Sequence, residues 1–212
     1  MQAVPNVVRE HWPEYLMEAA GLGLFMISAA VVTTLLEYPH SPLHGLFADQ
    51  ATRRLMIGLA MGATAIGLIY SPWGKRSGAH LNPAVTLTFY RLGKIGGIDA
   101  CSYVMAQFFG GALGLWLVSR AIGKAVEHPA VNYVVTTPGP AGSGTAFVAE
   151  ALISFGLMLV VLMVSNTTSL NAWTGCVAGA LVATYIAIEA PLSGMSMNPA
   201  RSFASARGMR SA

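Results

Sequence analysis

Long apolar runs separated by short polar stretches dominate the hydrophobic pattern of this chain. A helix that crosses a bilayer needs about 20 mostly apolar residues, because it must bridge roughly 30 Å of hydrocarbon. Five segments reach that length: residues 15–36, 54–71, 101–119, 146–164 and 172–190. The first is too long for the core of a signal peptide, so we expect it to remain as a spanning helix. Residues 1–14 are expected to form a short solvated tail.

Two shorter segments, AVTLTFYRLG and ARSFASARG, each follow an Asn-Pro pair. Asparagine is favoured at a helix N-cap and proline at the first helical position, so each pair predicts a helix start. About ten residues give only about 15 Å of helix, half the thickness of the hydrocarbon. The pattern therefore predicts two half-helices, and their starts share an Asn-Pro-Ala triplet: Asn82, Pro83 and Ala84, then Asn198, Pro199 and Ala200.

The triplets belong to an internal repeat. Both are preceded by Ser-Gly, in SGAHLNPA (77–84) and SGMSMNPA (193–200), and each half opens with a span that carries an early glutamate, Glu18 or Glu150. We assign the first repeat to about residues 15–120 and the second to about 146–212, within a single domain. Because the first half has three spans, an odd number, the second half is expected to be inverted.

Inverted half-helices would meet N-terminus to N-terminus near the bilayer midplane. That arrangement brings together the positive ends of two helix dipoles and two asparagine amides. Non-helical backbone is tolerated at this depth only inside protein or along a water-filled cavity. A site of this kind donates hydrogen bonds to neutral molecules and repels cations, which are the physical requirements for a selective pore.

Composition supports a membrane protein, because 54% of the residues are hydrophobic, 10% are charged and the mean hydropathy is +0.58. An ordinary soluble domain is more polar. The net charge of +3 is modest. No basic block is interleaved with aromatic residues, so nucleic acid is not expected as a partner. The positive-inside rule places the loop after the second span, and the stretch beyond its half-helix, on the cytoplasmic face, because they hold Lys75, Arg76, Arg91 and Lys94. Other basic residues lie on the opposite face in that topology, which weakens the assignment.

Small residues inside the spans are assigned to packing. Gly58 with Gly62, and Gly175 with Gly179, have the spacing that allows two membrane helices to cross closely. The two cysteines, Cys101 and Cys176, fall inside or at the edge of spans and do not suggest a disulfide framework.

The paired motifs SGAHLNPAVT and SGMSMNPARS resemble those of the aquaporin, or major intrinsic protein, family, over about residues 15–206. The resemblance implies an all-α membrane fold with five spanning helices and two re-entrant half-helices. It implies passive transport of water or small uncharged solutes such as glycerol, without a cofactor or catalysis. It further implies a homotetramer in the bilayer of the plasma or inner membrane.

The same resemblance suggests a role for individual residues. Asn82 and Asn198 would donate hydrogen bonds at the central constriction. Arg201 would be the arginine of the selectivity filter, with Ile186 and Met195 at two other filter positions; the fourth is expected within residues 59–62. Ile186 stands where water-selective members often carry histidine, and this apolar residue favours glycerol. Ser202 stands where glycerol facilitators usually carry aspartate, and it argues against glycerol. The signals for water and glycerol therefore conflict.

Buried polar residues in the loops are implied to be structural. Glu18 and Glu150 are similar to glutamates that brace the re-entrant loops, and His80 is similar to a loop histidine beside the pore. His80 has no histidine or cysteine partner at ligand spacing, so we expect no metal site. On physical grounds alone, a carboxylate inside a span could also serve a proton-coupled carrier. An enzyme is not expected, since no nucleophile–base pair is evident.

Only twelve residues follow Ala200, too few to span, so we expect the sixth helix of the family to be absent. The alternative to a channel is therefore a truncated, non-conducting remnant or an accessory membrane protein.

Overall fold

The protein is described by a computed structural model covering residues 4–210, with side chains described for residues 6–206. Ten α-helices form among these residues: α1 (Val4–Glu37), α2 (Pro42–Leu46), α3 (Gln50–Tyr70), α4 (Pro72–Ser77), α5 (Pro83–Arg91), α6 (Gly97–Ile122), α7 (Lys124–Glu127), α8 (Gly142–Ser165), α9 (Thr174–Ser193) and α10 (Pro199–Arg210). No β-strand occurs in this part of the chain.

Five of these helices are long and apolar enough to cross a membrane: α1, α3, α6, α8 and α9, the last with the short turn that precedes it. The two helices that begin at Asn-Pro pairs are shorter, with 9 residues in α5 and 12 in α10. The predicted all-α fold of five spans and two half-helices is therefore confirmed.

The first helix starts at Val4, so the expectation of a separate tail over residues 1–14 is wrong from that residue onward, although most side chains of residues 6–14 are exposed or half-buried. Side-chain contacts hold these extra turns against the rest of the protein. Arg76 donates to Glu14 at 2.8 Å, and His11 Nδ1 lies 2.9 Å from Asp99 Oδ1. Such pairings depend on tertiary structure, which the local hydrophobic pattern does not contain. The first three residues lie outside the described part of the chain.

Close helix crossings hold the two halves together. A Cβ added to Gly58 would lie 2.6 Å from the Ala183 carbonyl oxygen, and one added to Gly62 would lie 2.5 Å from that of Gly179. Only glycine allows backbones to approach this closely, so the predicted packing role of these glycines is confirmed. The pairings also show that α3 and α9 run antiparallel.

Large apolar side chains cover much of the outside of the bundle. Phe147 is 75% exposed, Phe155 67% and Ile188 73%, whereas Leu22 and Leu115 in the interior are each 1% exposed. Exposed apolar side chains on spanning helices face a solvent of lipid tails without cost. Among the buried polar side chains, Glu18, Ser77 and Gln107 lie close to the start of α5, and Ser193 lies close to the start of α10.

Candidate functional site

The starts of both half-helices are capped by asparagine. Asn82 Oδ1 accepts a hydrogen bond from the Ala84 amide at 2.9 Å, and Asn198 Oδ1 accepts one from the Ala200 amide at 3.1 Å. These bonds satisfy amides that have no partner within the helix. The two side-chain oxygens are thereby fixed, and with them the orientation of both NH₂ groups.

The two NH₂ groups tie the halves together crosswise. Asn82 Nδ2 donates to the Met197 carbonyl oxygen at 2.8 Å, and Asn198 Nδ2 donates to the Leu81 carbonyl oxygen at 2.8 Å. An amide nitrogen carries two hydrogens, so each asparagine retains one N–H group that these bonds do not use. Two donors are therefore held side by side at the meeting point of α5 and α10.

The loops before the half-helices share an unusual backbone. Ala79 and Leu81 have φ values of 47° and 49°, and Met195 and Met197, 116 positions further along, have 52° and 53°. Residues other than glycine rarely adopt positive φ, and each instance costs about 1–3 kcal/mol unless its surroundings enforce it. The matched conformations therefore need matched support.

Glu18 supplies that support in the first half. Its Oε1 accepts hydrogen bonds from Ser77 Oγ at 2.8 Å and the His80 amide at 3.0 Å. Its Oε2 accepts from the Leu81 amide at 2.6 Å and from Gln107 Nε2 at 2.8 Å. The side chain is fully buried. Four donors aimed at one carboxylate fix the loop and compensate for burial of the charge.

Glu150 makes the corresponding contacts in the second half. Its Oε1 accepts from Ser193 Oγ and the Ser196 amide, both at 2.6 Å, and its Oε2 accepts from the Met197 amide at 2.6 Å. The structure thus brings both predicted glutamates to the two re-entrant loops. Each bonds one serine hydroxyl and two loop amides.

His80 lies beside the first half-helix. Its ring stacks on Phe89 with centroids 4.9 Å apart, meets Tyr103 edge-on at 5.2 Å, and places Nδ1 3.2 Å from Thr86 Oγ1. The His80 backbone amide also bonds Glu18. The ring is therefore held by packing and one hydroxyl group.

Sequence reasoning missed the role of several polar residues in this network. Ser77 and Ser193 belong to the repeated Ser-Gly pairs and lie 116 positions apart, the same separation as the two asparagines, but their bonds to the glutamates were not predicted. Gln107 donates to both Glu18 and Thr86, and Tyr103 donates to the Ser77 carbonyl oxygen at 2.7 Å. A glutamine inside an apolar span is a signal of a buried partner.

A cavity of about 800 Å³ passes between the two half-helices. It is lined by residues near both ends of α3, from Gln50 to Ile69. Of the predicted site residues, six line it: His80, Asn82, Ile186, Met195, Asn198 and Arg201. The other predicted residues do not line this cavity and lie behind it: Glu18, Pro83, Ala84, Glu150, Pro199 and Ala200.

The residues that α3 places on the cavity wall agree only in part with the prediction of a fourth filter position within residues 59–62. Only Met61 of that range lines the cavity, whereas Leu59 is 53% exposed on the outside of the bundle. Ile57 lines it one turn earlier. Because Gly58 packs on Ala183 and Gly62 on Gly179, Ile57 lies nearer to the level of Ile186 than Met61 does.

Arg201 lies on the first turn of α10, where its amide donates to Asn198 Oδ1 at 3.2 Å. Its Nη1 is buried and has no hydrogen-bond partner among the described residues. A buried cationic donor without a partner is costly, so such a group at a cavity wall is available to an acceptor oxygen in the cavity.

A left-handed turn closes one side of the same cavity. Asn132, Tyr133 and Val134 have successive φ values of 45°, 50° and 51°, and no glycine is among them. Tyr133 and Val134 are each 6% exposed and pack in the apolar core beside α10. The turn places Val131 and Val135, with Val134, along the cavity wall. Its sequence contains no turn residue beyond Asn132, so it was not predicted.

Ser202 joins a group of hydroxyls behind α10. Its Oγ lies 2.6 Å from Ser196 Oγ and 3.3 Å from Thr136 Oγ1. These bonds link the second re-entrant loop to the segment after the left-handed turn. Ser202 therefore acts on the loop and is absent from the wall of the main cavity.

Comparison with known proteins gives consistent matches. Residues 7–209 match the family model described as Major intrinsic protein. The chain is 36% identical over 149 residues to a probable aquaporin AqpM of Archaeoglobus fulgidus, covering 69% of this chain and 60% of that protein. It is 33% identical over 189 residues to aquaporin NIP2-2 of Zea mays, covering 87% of this chain and 62% of that protein.

A further relative is the glycerol uptake facilitator protein-like 6 of Lactiplantibacillus plantarum, 36% identical over 149 residues, with 70% of this chain and 68% of that protein covered. Among solved structures, the X-ray structure of the aquaglyceroporin from Plasmodium falciparum superposes with a TM-score of 0.75 at 22% identity. That match covers 94% of this chain and 81% of the other, and it shows a shared fold. The chain spans about three fifths of the length of the first two relatives.

Proposed function

This chain belongs to the major intrinsic protein family, as its motifs suggested, and we propose that it is a passive channel for water and small uncharged solutes such as glycerol. The family consists of channels rather than enzymes, and with its apolar helices it makes this chain a multi-pass membrane protein. In the proposal, solutes pass along the cavity of about 800 Å³ between the half-helices.

One observation carries the proposal. Asn82 and Asn198 both line the cavity, and each has one N–H group that is not used in tying the loops together. The oxygen of a passing molecule would accept hydrogen bonds from these groups in place of its hydration shell. The adjacent helix N-termini carry positive dipole ends, which favour the oxygen end of a neutral solute and oppose cations.

The proposed filter combines Arg201 with apolar side chains. Ile186 and Met195 line the cavity with Arg201, and Ile57 lies near the level of Ile186. A guanidinium group donates to hydroxyl oxygens, and apolar walls accept the carbon skeleton of a small polyol. The name of one relative refers to glycerol uptake. These features favour small polyols as solutes in addition to water.

The arrangement of the glutamates argues against an ion-coupled carrier. Glu18 accepts four hydrogen bonds and Glu150 accepts three, and neither lines the main cavity. A proton-relay carboxylate needs access to the transport path. Their contacts are those of structural supports.

We further propose a homotetramer in the plasma or inner membrane. The exposed apolar side chains of the spanning helices, such as Phe147 and Phe155, suit contact either with lipid or with neighbouring copies. Cross-linking of the reconstituted protein followed by mass determination would measure the number of copies.

Stopped-flow light scattering on proteoliposomes tests the proposal. We expect the wild-type chain to accelerate the volume change that follows addition of an impermeant osmolyte, with a low activation energy, and to admit glycerol. Asn198→Leu removes a central donor and should lower the flux to that of empty liposomes. Asn166→Leu makes the same change at an exposed position and is the control.

Absence of water flux in correctly inserted wild-type protein would refute the channel and favour a non-conducting membrane protein. Wild-type flux in an inserted Asn198→Leu variant would show instead that the path does not pass the paired asparagines.

A further inference from the structure

A second arginine, Arg54, lines the main cavity together with Glu37 and Gln50 at one of its mouths. Arg54 lies near the start of α3 and is partly buried. Its Nε donates to the Ala187 carbonyl oxygen of α9 at 2.9 Å. The two terminal nitrogens of its guanidinium form no hydrogen bond or ion pair within residues 6–206.

The Ala187 carbonyl oxygen is free to accept this bond because of a proline. Helical residues bond the carbonyl four positions earlier, and Pro191, inside α9, has no N–H group to offer to Ala187. The Ala187 carbonyl is therefore left without its helical partner, and Arg54 supplies the missing donor. The bond also fixes the plane of the guanidinium, because Nε and the two terminal nitrogens share one rigid fork.

The neighbouring arginine has a different environment, which leaves Arg54 uncompensated. Arg53 Nε donates to Glu37 Oε2 at 3.0 Å, and its Nη1 donates to the Phe47 and Ala48 carbonyl oxygens at 2.9 Å each. Arg53 thus neutralises the one carboxylate at this mouth that lines the cavity. Across the described residues, no acidic group lies within ion-pair distance of Arg54.

From this geometry we propose that Arg54 is a specificity-determining residue, a cation barrier at this mouth that acts in addition to Arg201. The inference rests on the proposed channel function. A fixed positive charge at the wall, without an ion-pair partner among the described residues, raises the energy of a cation entering the cavity but does not repel a neutral solute. The free fork also offers donors to the oxygen of a neutral solute. Arg54 therefore has two separable tasks, completing α9 at Ala187 and excluding cations.

The test uses guanidinium ion, a small permanent cation, in proteoliposomes whose water flux is measured first. Because Arg201 could mask a second barrier, the comparison is made between Arg201→Val and the double variant Arg201→Val with Arg54→Gln. Glutamine can still donate to the Ala187 oxygen but has no charge. We expect the ratio of guanidinium to water permeability to rise about tenfold in the double variant. Arg120→Gln, an exposed change of the same charge, is the matched control.

A second pair of variants separates the structural task. Arg54→Ala should lower the thermal midpoint, because the Ala187 carbonyl loses its donor. Adding Pro191→Ala restores a helical N–H for that carbonyl and should recover the midpoint without restoring cation exclusion in the Arg201→Val background.

An unchanged permeability ratio in the Arg201→Val, Arg54→Gln double variant, with water flux intact, would overturn the inference and leave Arg54 as a helix cap alone. Recovery of cation exclusion on adding Pro191→Ala would overturn it as well. Absence of water flux in the wild type would instead overturn the proposed function, and this inference with it.

Discussion

The carboxylate of Glu18 should be the largest single polar contribution to the first re-entrant loop. It accepts from two backbone amides, those of His80 and Leu81, and from the side chains of Ser77 and Gln107. Glu18→Ala removes the acceptor for all four donors. Glu18→Gln keeps one oxygen, so one of the two backbone amides retains a partner.

The expected loss in the free energy of unfolding follows from the number of backbone donors that each variant leaves without a partner. A buried donor that loses its acceptor costs about 1–3 kcal/mol. Glu18→Ala leaves two such amides and should lower the free energy of unfolding by about 2–6 kcal/mol, before side-chain losses are included. Glu18→Gln leaves one and should cost about 1–3 kcal/mol. The order of stability is therefore wild type, then Gln, then Ala.

Unfolding of detergent-solubilised protein by increasing SDS, followed by tryptophan fluorescence, measures these differences. Glu10→Ala is the control, because Glu10 is an exposed glutamate on the same helix, α1. An exposed change of this kind usually alters stability by no more than about 0.5 kcal/mol. Water flux of the inserted variants should fall in the same order, because the positive φ values of Ala79 and Leu81 lose their support.

Equal stability of Glu18→Ala and Glu10→Ala would refute the reasoning, since it would mean that water or another group satisfies the loop amides. A Gln variant less stable than the Ala variant would also contradict it, because the retained oxygen would then have no value.

Three further changes have defined expectations. Arg201→Val should increase permeability to larger neutral solutes relative to water, and an unchanged solute ranking would place the filter elsewhere. Gly62→Val should prevent the close crossing at Gly179 and reduce the folded yield, whereas Gly67→Ala, which meets no atom within 4 Å, should be tolerated or stabilise α3 by about 0.5–1 kcal/mol. Tyr103→Phe loses the bond to the last carbonyl of α4 and should cost about 1 kcal/mol in SDS unfolding.

Much of the fold could be predicted from the sequence because membrane helices obey a simple length rule. The five apolar runs and the Asn-Pro pairs at Asn82 and Asn198 suffice for the spans and the half-helices. The additional turns of α1 could not be predicted, since they depend on Asp99 and Arg76, which are distant in sequence. The same holds for the left-handed turn at Asn132–Val134, which packing enforces against local preference.

The candidate site was predictable where the repeat marks it twice. Glu18 and Glu150 reach equivalent loops, and the repeated Ser-Gly pairs contain the two serines, Ser77 and Ser193, that bond them. Arg54 had no such signal. Its setting depends on a proline 137 positions away in the sequence and on a neighbouring arginine that takes the available carboxylate.

The crosswise bonds of Asn82 and Asn198 have a consequence for how the protein is made. Each asparagine bonds a carbonyl more than 110 residues away, on the loop that precedes the other half-helix. While the first half is being synthesised, its loop has no partner for the Leu81 carbonyl and no acceptor for the Asn82 amide. These two bonds can form only after Met197 and Asn198 have been synthesised, so the joining of the two half-helices is a late step of membrane insertion, whereas the bonds of Glu18 to the first loop can form earlier.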